Sequence, residues 1–344
     1  MMIDIIIPTY NTGSLLCRCI DSLLNQTDKI GYIIYLIDDG STDLTPDICD
    51  KYANKYDNVI AFHKKNGGGV AARRYGLEHS TNPYIVFVDA DDFVENDYIS
   101  NIKRAIANPA DYYILNNKRN YITQKGYYIE KDFLIDGYVP IETIYRWFLS
   151  SKIGAIWEKI FLRKVINKNK VEFKDNITHG DDFYINANYL QAVNIVYCQN
   201  TSSYIHIVDS PTSVCSHDVS IKRLYDIKTL YHSVLPLIPS YIEDKYIEIF
   251  KRSIIAAYFV AVGLIIRQKK NKHFLNQFFI DSLPTIDKKL ITSKMDKLIY
   301  WTLFHKKYIV AELISYIYNT KIYSVYLDKC YEKNDLFIKK KLGI

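Results

Sequence analysis

Apolar segments alternate with helical patterns through the first 90 or so residues, and this alternation constrains the fold more than any other feature. The apolar segments are residues 3–8, 33–37, 59–62 and 84–88. Short runs of this kind suit strands that are covered on both faces. Because the connections are short, we expect strands and helices to alternate in a parallel, helix-covered sheet. The pattern predicts an α/β fold.

Acidic side chains directly follow two of these segments. Asp38 and Asp39 come after the second segment, and Asp89, Asp91 and Asp92 come after the fourth. Open α/β sheets bind ligands in the crevice beyond the carboxyl ends of their strands. The loops after strands one, two and four should therefore meet at one edge of the sheet and carry the chemistry.

Asp89 and Asp91 lie two residues apart, so in an extended segment their side chains point the same way. Paired hard oxygen ligands suit Mg²⁺ or Mn²⁺ that carries a substrate diphosphate. A solvated turn with a helix N-cap explains the same residues, since aspartate is favoured there for its own reasons. The stretch alone leaves both interpretations open.

Beyond residue 110 the pattern is less regular. We predict a fifth strand, three helices and two more strands, in the order 111–115, 141–149, 161–166, 183–190, 194–197 and 204–208. From about residue 220 the pattern is helical. Its most apolar part, Ser253–Ile266, is shorter than the roughly 20 residues that span a bilayer. A buried helix explains it better than seating at a membrane interface.

Charge divides the chain unevenly. Residues 1–220 contain 22 Lys and Arg against 27 Asp and Glu, whereas residues 221–344 contain 22 against 11. A basic segment can bind anionic lipid, bind nucleic acid or increase solubility, so the sign of its charge alone does not identify its function. The six cysteines form no Cys-x-x-Cys pair, and Met1 leads directly into a strand without a signal-peptide pattern. We expect a reducing, cytoplasmic compartment.

Gly67, Gly69 and Ala72 match the spacing of the dinucleotide-binding fingerprint. That fingerprint belongs to the first strand–helix turn of a domain, and here the glycines follow the third strand. The acidic residue expected about 20 positions later would also belong to a triplet. Nicotinamide binding is therefore not expected.

Four motifs in a fixed order carry a resemblance to a known family. They are IIIPTYN at 5–11, DDGSTD at 38–43, NGGGVAARRYGLE at 66–78 and FVDADD at 87–92. With them the chain resembles the family 2 inverting glycosyltransferases, which have the GT-A fold. The likeness continues to about residue 215 through IWEKIFLRK at 156–164, GDDFY at 180–184 and YIHIVDSPTSV at 204–214.

The resemblance implies a domain organisation. A GT-A-like catalytic domain at 1–218, with a Rossmann-related and mostly parallel sheet, would hold the donor in 1–110 and the acceptor in 111–218. Residues 219–344 would form a helical, basic carboxyl-terminal region.

The resemblance also implies a nucleotide-sugar donor. Asp39 would accept a hydrogen bond from the base, and because a carboxylate reads the N–H of uracil well and cytosine poorly, UDP is favoured. A plain β-turn aspartate is the alternative. Gly67 would let the backbone approach the diphosphate, and Arg73 would face phosphate or the neighbouring acids. The expected donor-binding residues are Pro8, Thr9, Tyr10, Asn11, Asp39, Gly67, Arg73, Asp89, Ala90 and Asp91.

A divalent cation, Mn²⁺ or Mg²⁺, is implied as well. Asp91 is expected to be its direct ligand, with Asp89 directed toward the ribose or a metal-bound water. His206 and His217 are candidates for a third contact, although a lone histidine is more often structural.

The family commonly places its catalytic base in a Glu-Asp pair at the start of a helix, and Asp181-Asp182 occupies that place here. We predict that Asp182 is the base and that Asp181 contacts the acceptor, with a shorter reach than glutamate. The alternative is that the two carboxylates only stabilise the N-terminus of their helix.

The expected reaction moves a sugar from UDP-hexose or UDP-N-acetylhexosamine to a saccharide or lipid-linked saccharide of a surface polysaccharide or lipooligosaccharide. The protein would work at the inner face of the cell membrane, with 219–344 touching anionic lipid and no nucleic acid partner. A nucleotidyltransferase is an alternative function, but its basic glycine-rich loop would directly follow the first strand, and this chain has Tyr10–Gly13 there. A degenerate, non-catalytic glycan-binding or scaffold protein is a second alternative. Loss of the acids would have supported it, but Asp39, Asp89, Asp91 and Asp182 are all present.

Overall fold

The computed structural model describes residues 2–121, 127–130, 135–175, 177–208 and 222–267, with isolated positions 289, 291, 297 and 301. Ten strands in this part of the chain form one mixed sheet. The strands are β1 (Ile3–Thr9), β2 (Tyr32–Asp38), β3 (Val59–His63), β4 (Tyr84–Phe87), β5 (Phe93–Val94), β6 (Tyr112–Tyr121), β7 (Tyr127–Glu130), β8 (Gly137–Val139), β9 (Lys159–Leu162) and β10 (Val196–Val208). The helices are α1 (Ser14–Leu24), α2 (Thr45–Lys55), α3 (Gly69–His79), α4 (Tyr98–Ile106), α5 (Ile141–Leu149), α6 (Arg163–Asn169), α7 (Asp181–Leu190), α8 (Lys222–Val234) and α9 (Asp244–Arg267).

The sheet has the order β3-β2-β1-β4-β9-β6-β10-β5. The first four strands are mutually parallel, whereas β9 runs antiparallel to β4 and β6. Parallel strands require crossover connections, and helices supply them here. The predicted α/β fold is confirmed.

The core of this sheet is apolar on both faces. In β1 the side chains of Ile3, Ile5, Ile6 and Ile7 are fully buried, and burying each stabilises the fold by about 1.5–3 kcal/mol relative to exposure. Helix α3 lies close to the sheet because Gly76 has no side chain. A Cβ at that position would stand 2.5 Å from the Cγ2 atom of Ile6.

Several local predictions are wrong in detail. Phe161 and Leu162 belong to β9 rather than to a helix, because the strand is buried between β4 and β6 and only Arg163 begins α6. The two strands predicted near 194–208 form the single strand β10, whose register with β6 shifts near Ser202.

Ser14 and Thr45 are of residue types that favour N-cap positions, but neither one caps its helix. Ser14 is the first residue of α1, and the cap position belongs to Gly13. Thr45 is the first residue of α2, and its hydroxyl oxygen accepts hydrogen bonds from the backbone N–H groups of Thr12 and Gly13, each at 3.0 Å. The loop after β1 is held in place by this hydroxyl.

The chain divides into two compact units. One contains Met1–Phe148, Lys152–His217 and Ser233–Pro239, and the other contains Leu149–Ser151, Asp218–His232 and Ser240–Ile344. The predicted apolar stretch Ser253–Ile266 lies within α9. No helix among the described residues is long and apolar enough to cross a membrane.

Candidate active site

The loops that follow β1 and β2 are joined at the carboxyl edge of the sheet. The backbone N–H of Asp39 donates to the carbonyl oxygen of Thr9 at 2.9 Å. Gly40 has a φ of 74°, and a Cβ there would lie 2.9 Å from the backbone nitrogen of Asn66. Glycine is therefore required for the loop after β2 to pack against the segment after β3.

The carboxylate of Asp39 is buried and binds the glycine-rich segment. The N–H of Gly67 donates to its two oxygens at 3.0 and 3.1 Å, and that of Gly68 donates to Oδ2 at 2.6 Å. The ammonium group of Lys64 also donates to Oδ1. These partners lie 25 to 29 residues away along the chain, whereas a plain β-turn aspartate would bind its own loop.

The segment Pro8–Asn11 lies beside this carboxylate. Thr9 is buried, whereas Tyr10 exposes 49% of its surface. The N–H of Asn11 donates to the Ser41 hydroxyl at 2.9 Å, and the N–H of Thr42 donates to the Asn11 side-chain oxygen at 2.8 Å. The exposed tyrosine ring therefore lies on a loop that is tied to the loop carrying Asp39.

Asp89, Ala90 and Asp91 follow β4 at the same edge. The carboxylate of Asp89 accepts a hydrogen bond from Arg73 Nη2 at 2.8 Å. Ala90 is buried. Helix α1 anchors the backbone here, since Cys19 donates to the carbonyl oxygen of Asp89 at 3.6 Å and Arg18 donates to that of Asp91.

Asp92 has a different role from the other two acids. It is fully buried, and it accepts hydrogen bonds from the Tyr204 hydroxyl and the Ile207 N–H, both at 2.7 Å. Burial raises the pKa of Asp92 to about 6. Asp92 does not cap the next helix, because its carboxylate binds β10 and α4 begins only at Tyr98.

His206 also contacts Asp92, with Nδ1 3.1 Å from the carboxylate. The imidazole stacks on the Trp157 ring at 5.0 Å, and that indole stacks on Tyr204 at 4.7 Å. A carboxylate that orients a histidine through one ring nitrogen is an arrangement shared by metal-binding histidines. His217 lies outside the described residues.

Arg73 connects the two parts of the predicted site. Its guanidinium donates to Asp89 at 2.8 Å and to Asp181 at 2.9 Å, and Asp182 lies 3.9 Å away. Burial alone would lower the pKa of Arg73, but the surrounding carboxylates raise it. A buried arginine is therefore held charged where two motifs 108 residues apart in the chain meet.

Asp181 and Asp182 are the first two residues of α7, after Gly180 with a φ of 82°. Asp182 Oδ2 accepts a weak hydrogen bond from the Ile156 N–H at 3.4 Å. Burial, and then the charge of Asp181, raise the pKa of Asp182 to about 7, and burial raises that of Asp181 as well. A carboxylate with a pKa near neutrality can accept a proton in a catalytic step.

The residues after β4 fit a divalent cation only when a substrate supplies further ligands. Among the described residues, no group of three or more His, Cys, Asp or Glu side chains is arranged to hold a metal ion. Mg²⁺ and Mn²⁺ are commonly bound by one or two carboxylates together with substrate phosphates. Asp89, which pairs with Arg73, and Asp91 are the two carboxylates of this loop that the sequence predicts near such a cation.

Sequence reasoning did not foresee the contacts of Lys64 with Asp39 and of Tyr204 with Asp92. Lys64 could have been suspected, because it directly follows β3 at the ligand-binding edge. Tyr204 contacts a residue 112 positions away in the chain, and no local sequence pattern predicts such a contact. The Lys159 side chain is fully buried against Glu158, so it contributes to packing rather than to an exposed pocket surface.

Comparisons with known proteins agree on one family. The family model described as Glycosyl transferase family 2 matches residues 4–171. GlyG, a glycosyltransferase of Streptococcus pneumoniae serotype 4, is 30% identical over 213 residues, which cover 60% of this chain and 70% of GlyG. The poly(ribitol-phosphate) beta-glucosyltransferase of Bacillus spizizenii is 32% identical over 203 residues, but the match covers 57% of this chain and only 30% of that relative.

A solved structure has a similar fold. S. aureus TarS 1–349 in complex with UDP-GlcNAc superposes with a TM-score of 0.67, covering 92% of this chain and 91% of that one. The two sequences are 17% identical. The likeness therefore concerns the fold.

Proposed function

The chain belongs to glycosyl transferase family 2, and on that basis we propose that it transfers a hexose or N-acetylhexosamine from a UDP-sugar to a saccharide hydroxyl, with inversion. The observation that carries this proposal is the contact of Arg73 with Asp89 and Asp181. It joins the acids of the donor side to the acids of the acceptor side. A sugar held at the first set would lie next to a base in the second.

On the donor side, Asp39 is proposed to accept the N3–H of uracil. A carboxylate has about four acceptor positions, so the base would share or replace one of the donors that now come from Lys64, Gly67 and Gly68. Uracil has a carbonyl acceptor on each side of N3–H. A donor released from Asp39 would match one of those carbonyls, which favours UDP over a nucleotide whose base has a different hydrogen-bonding edge.

For the diphosphate, the proposal assigns Gly67, Arg73 and the acids after β4. Asp91 would hold Mn²⁺ or Mg²⁺, Asp89 would face the ribose or a metal-bound water, and His206 is the candidate for a further contact. When bound, the cation would offset the charge that develops on the departing diphosphate. Arg73 adds a fixed positive charge on the same side.

For the transfer, Asp182 is proposed to be the base. The acceptor oxygen attacks the anomeric carbon while the bond from that carbon to the diphosphate oxygen breaks, and UDP leaves with the electron pair. The acceptor proton passes to Asp182. Because attack and departure take place on opposite faces, one carboxylate is sufficient and the configuration inverts. Asp181, fixed by Arg73, would contact the acceptor.

The acceptor is proposed to be a saccharide or lipid-linked saccharide of a bacterial surface polymer. The relative from Bacillus spizizenii supports this choice, since its name specifies a polymer acceptor. The net charge of residues 221–344, with 22 basic and 11 acidic side chains, supports peripheral contact with anionic lipid. We place the enzyme on the cytoplasmic side of the membrane.

A panel of UDP-, GDP- and CDP-sugars, each incubated with the full chain and Mn²⁺, tests the donor proposal. Release of UDP from at least one UDP-sugar, abolished by EDTA and restored by Mn²⁺, is the expected result. Release from GDP- or CDP-sugars alone would contradict the assignment of Asp39 to uracil.

A further inference from the structure

One peptide group links the buried interior to the proposed base. The carbonyl oxygen of Ala155 and the N–H of Ile156 belong to this group and point in opposite directions. The N–H donates to Asp182 Oδ2 at 3.4 Å. Whatever holds the carbonyl end therefore also orients the N–H that faces the base.

Two buried side chains hold the carbonyl end. Asn186 Nδ2 donates to the carbonyl oxygens of Gly154 and Ala155, at 2.7 and 3.2 Å, and Lys159 Nζ donates to that of Ala155 at 2.9 Å. Asn186 exposes 1% of its surface. Its own amide is oriented by the Tyr112 hydroxyl, which donates to Oδ1.

The geometry points to Asn186 and Lys159 as positioning residues for the reaction. We propose that they hold the Ala155–Ile156 peptide so that its N–H faces Asp182 and sets the orientation of that carboxylate. This inference rests on the proposed role of Asp182 as base. Neither side chain touches the substrate in this scheme, and both act through the backbone.

The peptide N–H and the other charged groups around Asp182 approach this carboxylate from different sides. Arg73 of α3 approaches Oδ1 at 3.9 Å, and Asp181 of α7 and Asp89 after β4 contribute negative charge. Oδ2 is the oxygen that faces the Ile156 N–H. The arginine and the peptide thus address different oxygens and together fix the plane of the carboxylate.

The charge of Lys159 is balanced locally. Its ammonium group pairs with Glu158 at 2.6 Å. Cys198 of β10 and Asp182 also interact electrostatically with this group. Because a carbonyl that accepts two donors is more strongly polarised, its peptide N–H becomes a better donor. Donation to the ionised form of Asp182 favours that form.

Asn186→Ala is the test, with Asn188→Ala as the matched control. Asn188 lies on the same helix, and its amide donates to the Tyr184 carbonyl within that helix, at 2.9 Å. For Asn186→Ala we expect kcat to fall roughly tenfold with the KM for the UDP-sugar nearly unchanged, since one hydrogen bond to a charged group is weakened. The pH profile of kcat/KM should shift to higher pH, while Asn188→Ala should keep the wild-type profile.

Tyr112→Phe provides a second variant if Asn186→Ala does not fold. It removes only the hydroxyl that orients the Asn186 amide, and the same shift with a smaller amplitude is expected. A wild-type profile in the folded variant, or a fall in kcat that is uniform across pH, overturns the positioning role. Transfer that survives in Asp182→Asn would instead refute the base itself, so the two failures are distinguishable.

Discussion

Asp182→Asn should separate the chemical role of this carboxylate from its effect on stability. The asparagine keeps the shape of the side chain but cannot accept the acceptor proton. We expect UDP to bind with nearly wild-type affinity while transfer falls by about 10²–10⁴-fold, the usual contribution of a positioned base. In the wild type, kcat/KM should rise with pH through about 7, because the base has to be ionised.

The stability effect follows from the raised pKa. Burial and the Asp181 charge raise the pKa of Asp182 from 3.8 to about 7, so the folded protein binds this proton more tightly than the unfolded chain does. Ionisation therefore costs nothing below pH 4, costs progressively more up to pH 7, and costs its full amount above that. At about 1.4 kcal/mol per pH unit, the full cost is on the order of 4 kcal/mol.

Urea unfolding at pH 4.5 and pH 8 measures this cost. Asp182→Asn should be more stable than the wild type at pH 8, by up to about 4 kcal/mol, and should differ by about 1 kcal/mol at pH 4.5. Asp175→Asn is the control, since Asp175 is exposed and pairs with Arg74 at 2.6 Å. The free energy of unfolding of this control should differ little from the wild type at either pH.

Two results would refute this reasoning. A variant that is less stable than the wild type at pH 8 would show that the ionised carboxylate is favourable where it lies. Near-normal turnover in the same variant would place the base at another residue, with Asp181 as the first to examine.

Two further predictions concern the donor and the membrane. Asp39→Asn should weaken UDP binding by about 10–100-fold in calorimetry, because hydrogen bonds to a charged group are lost. The control Asp43→Asn, on the exposed part of the same loop, should bind UDP as the wild type does. Equal affinities of the two variants would show that Asp39 does not bind the base. The full chain should sediment with vesicles that contain anionic lipid at about 50 mM salt and should be released at about 500 mM, because salt screens the attraction between basic side chains and anionic lipid. Equal binding to neutral vesicles would show that the basic region does not cause the membrane contact.

The parallel part of the fold could be predicted from the sequence because each signal there is local. The strand at Ile3–Thr9, its neighbours and the acids that follow them are contiguous in the chain, and the sheet order then brings them to one edge. The contact between Arg73 and Asp181 spans 108 residues. The motif resemblance placed both residues in one site, but it did not indicate that they form an ion pair.

The errors have a common physical cause. Phe161 and Leu162 read as helix because an apolar run of this length has no periodicity to distinguish the two structures. These residues form a strand because β9 pairs antiparallel with β4 and β6, and the paired residues are 45 or more positions distant in the chain. Threonine locally favours the N-cap of a helix, whereas the Thr45 hydroxyl binds the loop after β1.

The acids after β4 show the same limit at the site. Asp89, Asp91 and Asp92 are nearly equivalent in sequence, and only the structure distinguishes them. Asp89 pairs with Arg73, and Asp92 is buried against Tyr204 and His206. The role of Asp91 as direct metal ligand stays a proposal that rests on the motif.

Metal-dependent binding of UDP beside β4 is measured by calorimetry of the full chain with Mn²⁺ and with EDTA, in the wild type and in Asp91→Ala. If the edge beyond β4 holds a metal-bound diphosphate, the wild type should bind UDP tightly only with Mn²⁺. The affinity of Asp91→Ala should be weak and the same in both conditions. UDP binding that is indifferent to Mn²⁺ in the wild type, or a metal dependence that survives in Asp91→Ala, would contradict the account.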